Sequence, residues 1–389
     1  MCKMLVLYRG ETSTISSFRQ DFPAMVASVG IEVEFCDISD LSYSRIRDAD
    51  SVMLVRVSDP AVVSLVKRMK VAGYFVIAFY DDDLLNLPES LPSIGYQKRA
   101  LIKILKLSDA ILTSSPKIRD MYREISGTRS YLIHTSVSEE TIGSIPYWER
   151  KDDQISIAYA AGSAHAGNIE KYIVPILSKL GERYGSRIRL EFVGVRPRIK
   201  ESYGMNIVFT DGMPIGEYRE YMRRSRFDLG LAVLEADPFS ECKYFNKYIE
   251  YTIVGTVGLY SNCKPYTYAI EDGVNGFLVE NTTEKWFEKL CYAIDNRSQI
   301  AICKNNAIEG LKARHNIETI SAGLIHDMPE ILECRDKETE LSLRKFKAED
   351  AFYVLITRLY HYGWHMRKDG WSWIKSGINK KLSLLRKKP

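Results

Sequence analysis

Long apolar runs are missing from this sequence of 389 residues. A helix that spans a bilayer needs roughly 18–20 consecutive apolar residues, and no window of the sequence approaches that length. The opening letters "MCKMLVLYRG" contain only a short apolar run before Tyr8 and Arg9, which suits a strand better than a secretory signal. We therefore expect a cytoplasmic protein without a membrane-spanning helix.

Paired cysteines are also missing. The seven cysteines are scattered, and none forms a C-x-x-C pair. An odd number without close spacing argues against a disulfide framework and against a zinc site. Free thiols of this kind favour a reducing compartment.

Residues 1–340 also lack an excess of basic side chains. The net charge of +4 conceals an asymmetry, since residues 341–389 hold 12 Lys and Arg against 3 Asp and Glu. The tail thus carries +9 and the rest of the chain −5. A nucleic-acid-binding domain would be basic over its folded face, so we expect no nucleic-acid partner.

Apolar segments of strand length alternate with helix-like segments, and the alternation restarts after the loop "SIPYWERKDDQ". Such a pattern predicts parallel sheets covered on both faces. We predict two doubly wound, Rossmann-like α/β domains, residues 1–150 and 151–330, and a basic, aromatic helical tail, residues 331–389. The second domain should contain single helices over residues 168–185 and about 283–309. Ligands of such sheets bind at the carboxyl ends of the strands, which places the site in the cleft between the domains.

The segment "ECKYFNKYIEYTIVG", residues 241–255, concentrates charge between two apolar strand candidates. Asn246 is placed to cap a helix that carries Lys247 in its first turn and ends before the following glycine. Helix amides with the ammonium groups of Lys243 and Lys247 could bind a diphosphate. One turn deeper, Glu250 could accept hydrogen bonds from ribose hydroxyls. The alternative is a surface Lys247–Glu250 ion pair, which would stabilise a helix by only about 0.2–0.5 kcal/mol.

A second strand-to-helix turn, "AYAAGSAHAGNIEKY", contains Gly162, Ser163 and His165. Small side chains let backbone amides approach a phosphate at a helix N-terminus, and a plain tight turn is the alternative. Ala164 stands where the dinucleotide-binding pattern G-x-G-x-x-G needs a glycine, which disfavours an NAD cofactor.

Three carboxylates follow a buried strand in "YFVIAFYDDDLLNLP", at Asp81, Asp82 and Asp83. One of them could contact an acceptor or act as a base. The cluster could instead cap a helix beginning at Leu84 and Leu85. A Mg²⁺ site is the third alternative, and we expect no metal here.

The stretch from Lys243 to Trp286 resembles the donor half of GT-B glycosyltransferases, in particular the retaining family 4. Those enzymes carry a Glu-x7-Glu element, whose second Glu corresponds to Glu250 and whose first falls on Cys242. The stretch is closer to a branch with the pattern K-x-x-N-K-x-x-E. The turn "G-S-x-x-H" and the loop "DGVNGFLV" are similar to motifs of the same branch.

The N-terminal half agrees with this resemblance, because "YDDD" is similar to the Y-D-x-D-D strand end of that branch. Together the motifs cover about residues 50–310. The resemblance implies a GT-B fold and transfer of a hexosyl group from a UDP- or GDP-type nucleotide sugar. It further implies retention of configuration, with no metal and no cofactor.

The resemblance also implies three groups of site residues. The catalytic group would stabilise the leaving diphosphate, bind the ribose and act on the acceptor; it comprises Lys243, Lys247, Glu250 and Asp82. The donor-binding group comprises Gly162, Ser163, His165, Asn246, Lys247 and Glu250. The arginine that many members place after the first strand of the second domain is absent. Arg9 or Arg19 could contact the phosphate in its place. Asp81 and Asp83, at the strand end that faces the cleft, complete the third group of possible contacts to phosphate or acceptor.

The implied acceptor is a saccharide or lipid-linked saccharide in polysaccharide or glycoconjugate biosynthesis. The basic tail, with Trp364 and Trp371, could lie on an anionic membrane surface at the inner face of the cytoplasmic membrane, or it could dock on the body. Two other functions stay open. One is a non-catalytic nucleotide-sugar-binding or scaffold protein, because of Cys242; the other is a different GT-B activity such as a nucleotide-sugar epimerase.

Overall fold

The chain folds into two six-stranded parallel sheets with helices packed around them. A computed structural model describes residues 2–87, 95–146, 148, 152–162, 166–333 and 343–369. The strands of the first sheet are β1 (Cys2–Tyr8), β2 (Ile31–Asp37), β3 (Ser51–Val55), β4 (Phe75–Tyr80), β5 (Ala110–Thr113) and β6 (Ser130–Leu132). Those of the second are β7 (Ile155–Ala160), β8 (Ile188–Val193), β9 (Asn206–Thr210), β10 (Leu229–Ala232), β11 (Val257–Ser261) and β12 (Phe277–Val279). Their orders are β2-β1-β3-β4-β5-β6 and β12-β11-β10-β7-β8-β9.

Helices connect the strands in both units. The first unit contains α1 (Ser13–Ala27), α2 (Tyr43–Arg47), α3 (Pro60–Val71), α4 (Gly95–Leu107), α5 (Pro116–Ser126) and α6 (Glu139–Gly143). The second contains α7 (Ala166–Tyr172), α8 (Leu177–Tyr184), α9 (Ile215–Ser225), α10 (Asn246–Ile253), α11 (Thr283–Asp295) and α12 (Arg297–Arg314). They are followed by α13 (Ile317–Asp327) and α14 (Arg344–Asp369). The predicted pair of doubly wound sheets and the helical C-terminal extension are confirmed.

The burial of the strands agrees with their positions in the sheets. Strands β3, β4, β5 and β7 are buried along their whole length. Strands that are apolar on both sides suit the centre of a parallel sheet with helices on both faces. In the edge strand β2 only Ile31 and Cys36 are buried, as expected for a strand at the edge of the sheet.

Two predicted long helices are each divided in the structure. The helix predicted over residues 168–185 is α7 and α8, separated by a 3-10 turn at Val174–Ile176. Pro175 causes this break, because it has no amide hydrogen and its ring clashes with the preceding turn. The helix predicted over residues 283–309 is α11 and α12, which meet at Asn296. The Asn296 side-chain amide donates to the Tyr292 carbonyl oxygen at 2.7 Å and ends α11.

The chain returns to the first sheet after α12. Ile320 and Leu324 of α13 are buried in one apolar cluster with Met4 and Val6 of β1. Helix α13 therefore covers the first sheet although it follows the second sheet in sequence. The division into domains at residues 150 and 330 stays a prediction.

The start of α14 docks on the first unit. Leu343 and Phe346 are buried in the core of that unit. Arg9 forms ion pairs with Asp350 of α14 and with Asp59, the latter at 2.9 Å between Nε and Oδ1. Burial raises the pKa of Asp59 to about 6, and the positive charge of Arg9 opposes that rise. Docking on the body, one alternative for the tail, is thus observed for its first turns.

The rest of the tail is described only in part. Within the described ranges, no helix is both long and apolar enough to cross a bilayer. Helix α14 runs through Gly363 without a break. The tail position Trp371 lies outside the described residues.

Candidate functional site

Helix α10 holds the charged segment at the carboxyl end of β10. The Tyr251 hydroxyl donates to the Leu231 carbonyl oxygen at 2.7 Å, and the Tyr251 ring lies against Gly230, where a Cβ would come within 2.6 Å of it. Gly230 is therefore required for this close helix–strand contact. The helix ends before Gly255, which has a φ of +71°, as the sequence predicted.

The start of α10 differs from the prediction. Asn246 is the first helical residue and is exposed, while Phe245 occupies the cap position. No side chain among the described residues caps this helix. The buried Phe245 ring contacts Tyr244 and His315, so aromatic packing sets the start of the helix. Uncapped amides at a helix N-terminus are available to an anion.

Lys247, Glu250 and Tyr218 form one hydrogen-bonded cluster. The Lys247 ammonium donates to Glu250 Oε2 at 2.5 Å and to the Tyr218 hydroxyl at 3.2 Å. The Tyr218 hydroxyl donates to the same Glu250 oxygen at 3.1 Å. The Lys247 and Glu250 side chains are only 25% and 31% exposed. The ion pair of the alternative interpretation is present, but within a partly enclosed cluster rather than on an open surface.

The surroundings of this cluster raise the pKa values of both Lys247 and Tyr218. Burial lowers the pKa of Lys247, but the Glu250 carboxylate and nearby tyrosines outweigh it and raise the pKa overall. Burial and the charge of Glu250 hold the pKa of Tyr218 well above its ordinary value. At neutral pH Lys247 is therefore an ammonium and Tyr218 a neutral hydroxyl that donates.

Tyr218 was missed by sequence reasoning. It belongs to α9, which is separated from α10 by β10 and the loop that follows it. The only signal was its place in the helix "IGEYREYMRRS", which gives no reason to connect it with Glu250. Helix α9 begins after the carboxyl end of β9 and α10 after that of β10, and these strands run parallel in one sheet, which brings the starts of both helices to the same end of the sheet.

Lys243 lies in the loop just before α10. Its ammonium is 5.2 Å from the centre of the Phe239 ring, within the range of a cation–π contact. Asp237 organises the same loop, since Oδ1 accepts from the amides of Phe239 and Ser240 at 2.9 and 3.0 Å. Burial opposes ionisation of Asp237, but the hydrogen bonds from Ser240 and Phe239 and the charge of Lys243 lower its pKa.

The predicted phosphate turn follows β7. A Cβ built at Gly162 would meet no atom of the described residues within 4 Å. Ser163 and His165 lie outside the described residues, so their predicted roles stay predictions. Helix α7 begins at Ala166. The side-chain amide of Asn168 donates to the Val233 carbonyl oxygen at 3.2 Å and ties this helix to the end of β10.

The three aspartates after β4 have different partners. Asp83 is buried and accepts from the backbone amides of Leu85 and Asn86 at 2.9 and 3.3 Å. It caps a bend rather than a helix. Asp81 and Asp82 accept from Arg56 Nη1 at 3.1 and 3.0 Å. Burial raises the pKa of Asp81, while the Arg56 charge lowers it.

Arg56 was also missed by sequence reasoning. It follows β3 with a φ of +55°, a left-handed conformation that is uncommon for a residue with a side chain and costs of order 1–3 kcal/mol. Its Nη1 also donates to Thr14 Oγ1 at 2.9 Å, and Thr14 donates to Asp81 at 2.8 Å. The available signal was a single charged letter in the apolar run "VMLVRV".

The two arginines expected near phosphate are paired within the first unit. Arg9 binds Asp59 and Asp350. Arg19 donates to the Tyr8 hydroxyl at 2.7 Å and to Glu11 Oε1 at 2.8 Å. Their contacts to phosphate stay predictions, and each would require leaving an existing partner.

Cys242 packs into the opposite unit. Its side chain is 2% exposed and belongs to the core of the first unit. Burial, then the charge of Asp83, raises the pKa of this thiol to about 12. The neighbouring Glu241 lies 3.8 Å from the Lys117 ammonium of α5. Cys242 therefore contributes to contact between the units and is not an open polar position at the site.

A second contact between the units contains two histidines. His134 Nδ1 is 3.1 Å from the Tyr244 hydroxyl. His315 Nδ1 donates to the Thr135 carbonyl oxygen at 2.9 Å, and the two imidazole centres are 5.8 Å apart. Burial lowers the pKa of His315 to about 4. These contacts join residues 134 and 135 of the first unit to Tyr244, just before α10, and to His315, just after α12.

No metal-binding group among the described residues and no matching sequence family was found. In the part of the chain that the structure describes, no group of three or more His, Cys, Asp or Glu side chains is placed to hold a metal ion. No family profile and no curated protein matches the sequence.

Solved structures resemble the chain over most of its length. HepE of Anabaena, in complex with UDP, superimposes with a TM-score of 0.61 at 12% identity, covering 84% of this chain and 99% of that one. Sucrose-phosphate synthase of Thermosynechococcus elongatus gives 0.61 at 10% identity, covering 85% and 99%. The lipopolysaccharide outer core galactosyltransferase WaaB gives 0.55 at 14% identity, covering 85% and 100%. With its two parallel sheets and the order of its elements, the chain has the GT-B fold of these glycosyltransferases.

Proposed function

We propose that this protein is a glycosyltransferase that moves a hexosyl group from a UDP- or GDP-type nucleotide sugar to a saccharide or lipid-linked saccharide. The cluster of Lys247, Glu250 and Tyr218 at the start of α10 carries the proposal. The structures of HepE with UDP and with UDP-glucose support it, because that protein has the same fold.

In the proposed reaction, the bond between the anomeric carbon and the diphosphate breaks, a bond to an acceptor hydroxyl oxygen forms, and the proton of that hydroxyl passes to the departing diphosphate oxygen. Negative charge then accumulates on the leaving diphosphate. Lys247, Lys243 and the amides at the start of α10 would stabilise that charge. Glu250 would turn to the ribose hydroxyls, so that donor binding replaces the Lys247–Glu250 pair. We propose retention of configuration and chemistry without metal or cofactor.

The acceptor would bind near the aspartates after β4. Asp82 is 30% exposed and shares Arg56 with Asp81. It is the member of the three that could accept a hydrogen bond from an acceptor hydroxyl while Arg56 holds its orientation. Asp83 is committed to the bend that follows β4 and supports this loop rather than the chemistry.

The proposal is tested by incubating the purified chain with a panel of UDP- and GDP-sugars and measuring released UDP or GDP. Slow release from one donor, unchanged by EDTA and accelerated by a saccharide or lipid-linked acceptor, is the expected result. A donor that binds tightly but is never turned over with any acceptor would favour the non-catalytic binding protein. A changed nucleotide sugar without nucleotide release would favour the epimerase.

Tyr218→Phe is expected to raise the KM for the donor about tenfold with a smaller change in kcat, because hydrogen bonds to charged groups are worth about 1.5–3 kcal/mol. The phenyl ring keeps the packing but loses the bond that orients Glu250. Steady-state kinetics with varied donor check this. Tyr221→Phe is the matched control on the same helix, since the Tyr221 hydroxyl donates to the buried Glu191. If both variants raise KM equally, Tyr218 has no specific role.

We place the reaction in polysaccharide or glycoconjugate biosynthesis at the inner face of the cytoplasmic membrane. A lipid-linked acceptor would lie in that membrane. The basic tail, residues 341–389, would bring the enzyme to the anionic surface, where each nearby Lys or Arg adds about 1 kcal/mol.

A further inference from the structure

Helix α14 presents an apolar face that the described part of the protein leaves exposed. Five large side chains form this face, which we call the α14 stripe: Phe352, Leu355, Ile356, Leu359 and Tyr362. Their exposed fractions are 66%, 54%, 37%, 61% and 50%. The spacings of 3, 1, 3 and 3 residues place all five on one side of a helix, over a length of about 15 Å.

The opposite side of the same helix is fixed to the protein. Phe346 and Tyr353 are buried, and Asp350 is bound by Arg9. Gln97 of α4 donates to the Tyr353 hydroxyl at 2.7 Å. At 100° per residue these docked positions lie on average about 150° away from the centre of the α14 stripe. The docking therefore directs the stripe away from the body, and the helix cannot rotate it inward without losing the buried Arg9–Asp350 contact.

The sequence that carries the stripe is basic. Residues 351–389 contain nine Lys and Arg and a single acid, Asp369. Arg358 is exposed and lies three residues after Leu355 and four before Tyr362, which places it along one edge of the stripe. The acids at the start of α14 are engaged, since Glu349 lies within 4 Å of Arg68 and Lys345.

We infer that the α14 stripe is the surface by which this protein docks on an anionic phospholipid bilayer. Large apolar side chains beside exposed basic groups suit the boundary between lipid headgroups and acyl chains. A protein partner with an apolar groove would not by itself account for the excess of positive charge over the same 39 residues. This inference rests on the proposed function at a membrane surface and deepens it, because it names the side chains that enter the membrane.

The test is flotation of the full-length chain with two kinds of vesicle. One kind is pure phosphatidylcholine, and the other contains about one-third phosphatidylglycerol. The variant Phe352→Gln/Leu355→Gln/Leu359→Gln changes three exposed positions and leaves the docked face intact. We expect wild type to float with the anionic vesicles, and the variant to partition at least about tenfold more weakly, as expected for three apolar side chains lost from the interface.

A matched control changes three exposed apolar residues elsewhere: Val71→Gln/Tyr292→Gln/Ile302→Gln. These side chains are 78%, 47% and 49% exposed, and the control should float like wild type. Equal flotation of the stripe variant and wild type would overturn the inference, and so would equal binding to neutral and anionic vesicles.

Two further measurements identify other occupants of the stripe. A wild-type chain that sediments as a dimer without vesicles, beside a monomeric stripe variant, would assign the stripe to a second copy and overturn the inference. Better flotation of a chain ending at Asp369 would assign the stripe to residues 370–389 and also overturn it. Nucleotide release is measured in vesicle-free buffer. If the stripe variant does not float but still releases nucleotide, only membrane docking is impaired. If the wild-type chain floats but never releases nucleotide, the proposed function is wrong while the docking surface stands.

Discussion

Lys247→Ala is expected to lower nucleotide release by about 10²–10³-fold, the loss typical when one preorganised group that stabilises transition-state charge is removed. Lys247 is the cation at the start of α10, and no second ammonium in the described residues shares its contacts with Glu250 and Tyr218. The side chain is a quarter exposed, so the variant should still fold. The rate of UDP or GDP release at saturating donor, with circular dichroism as a check of folding, measures the effect.

Lys285→Ala is the matched control for this experiment. Lys285 also pairs with a glutamate three residues later, Glu288 at 2.8 Å, but both side chains are more than half exposed. Its loss should leave turnover at the wild-type level. Glu250→Gln should raise the donor KM more than it lowers kcat, since a ribose contact exists before and during the reaction. Turnover of Lys247→Ala at the wild-type rate would exclude Lys247 as the group that stabilises the diphosphate.

The second large effect is on stability in acid. Compared with His315→Gln, wild type should lose about 3 kcal/mol of its free energy of unfolding between pH 6.5 and 4. Burial, aided by the charges of His134 and Arg314, lowers the pKa of His315 from 6.5 to about 4. The unfolded chain therefore takes up the proton first as pH falls. The contribution is fully present above about pH 6.5 and is lost as the pH approaches 4.

Urea titrations at several pH values from 4 to 7.5 measure this difference. Glutamine keeps an amide that can donate to the Thr135 carbonyl oxygen but cannot be protonated in this range. His326→Gln is the control, because His326 is an exposed histidine on the neighbouring helix α13. If wild type and His315→Gln depend on pH in the same way, the junction between the units does not hold a neutral imidazole.

Features that depend on neighbouring residues can be read from the sequence, whereas features fixed by distant contacts cannot. The end of α10 before Gly255 was readable because a glycine at a helix end acts on its own backbone. The missed break at Pro175 was also local. The start of α10 was not, because Phe245 is fixed by rings of Tyr244 and His315 rather than by its sequence neighbours.

The candidate site shows the same division. Lys247 and Glu250 are three residues apart, so helical geometry alone places them side by side. Tyr218 joins them only because β9, which precedes α9, and β10, which precedes α10, run parallel in the same sheet. Arg56 meets Asp81 and Asp82 across two neighbouring strands, and its left-handed backbone is visible only in the folded chain.

The sequence by itself determined the two parallel sheets and the charged helix α10, because both depend on periodicity within a segment. Tertiary structure alone decided three features. Cys242, which stands where the resembled family has a glutamate, is buried against the first unit. Arg9, a candidate for phosphate, holds Asp350 of α14, and this docking turns the α14 stripe outward. Each decision rests on contacts between residues far apart in the chain, and such contacts exist only after the sheets and helices have packed.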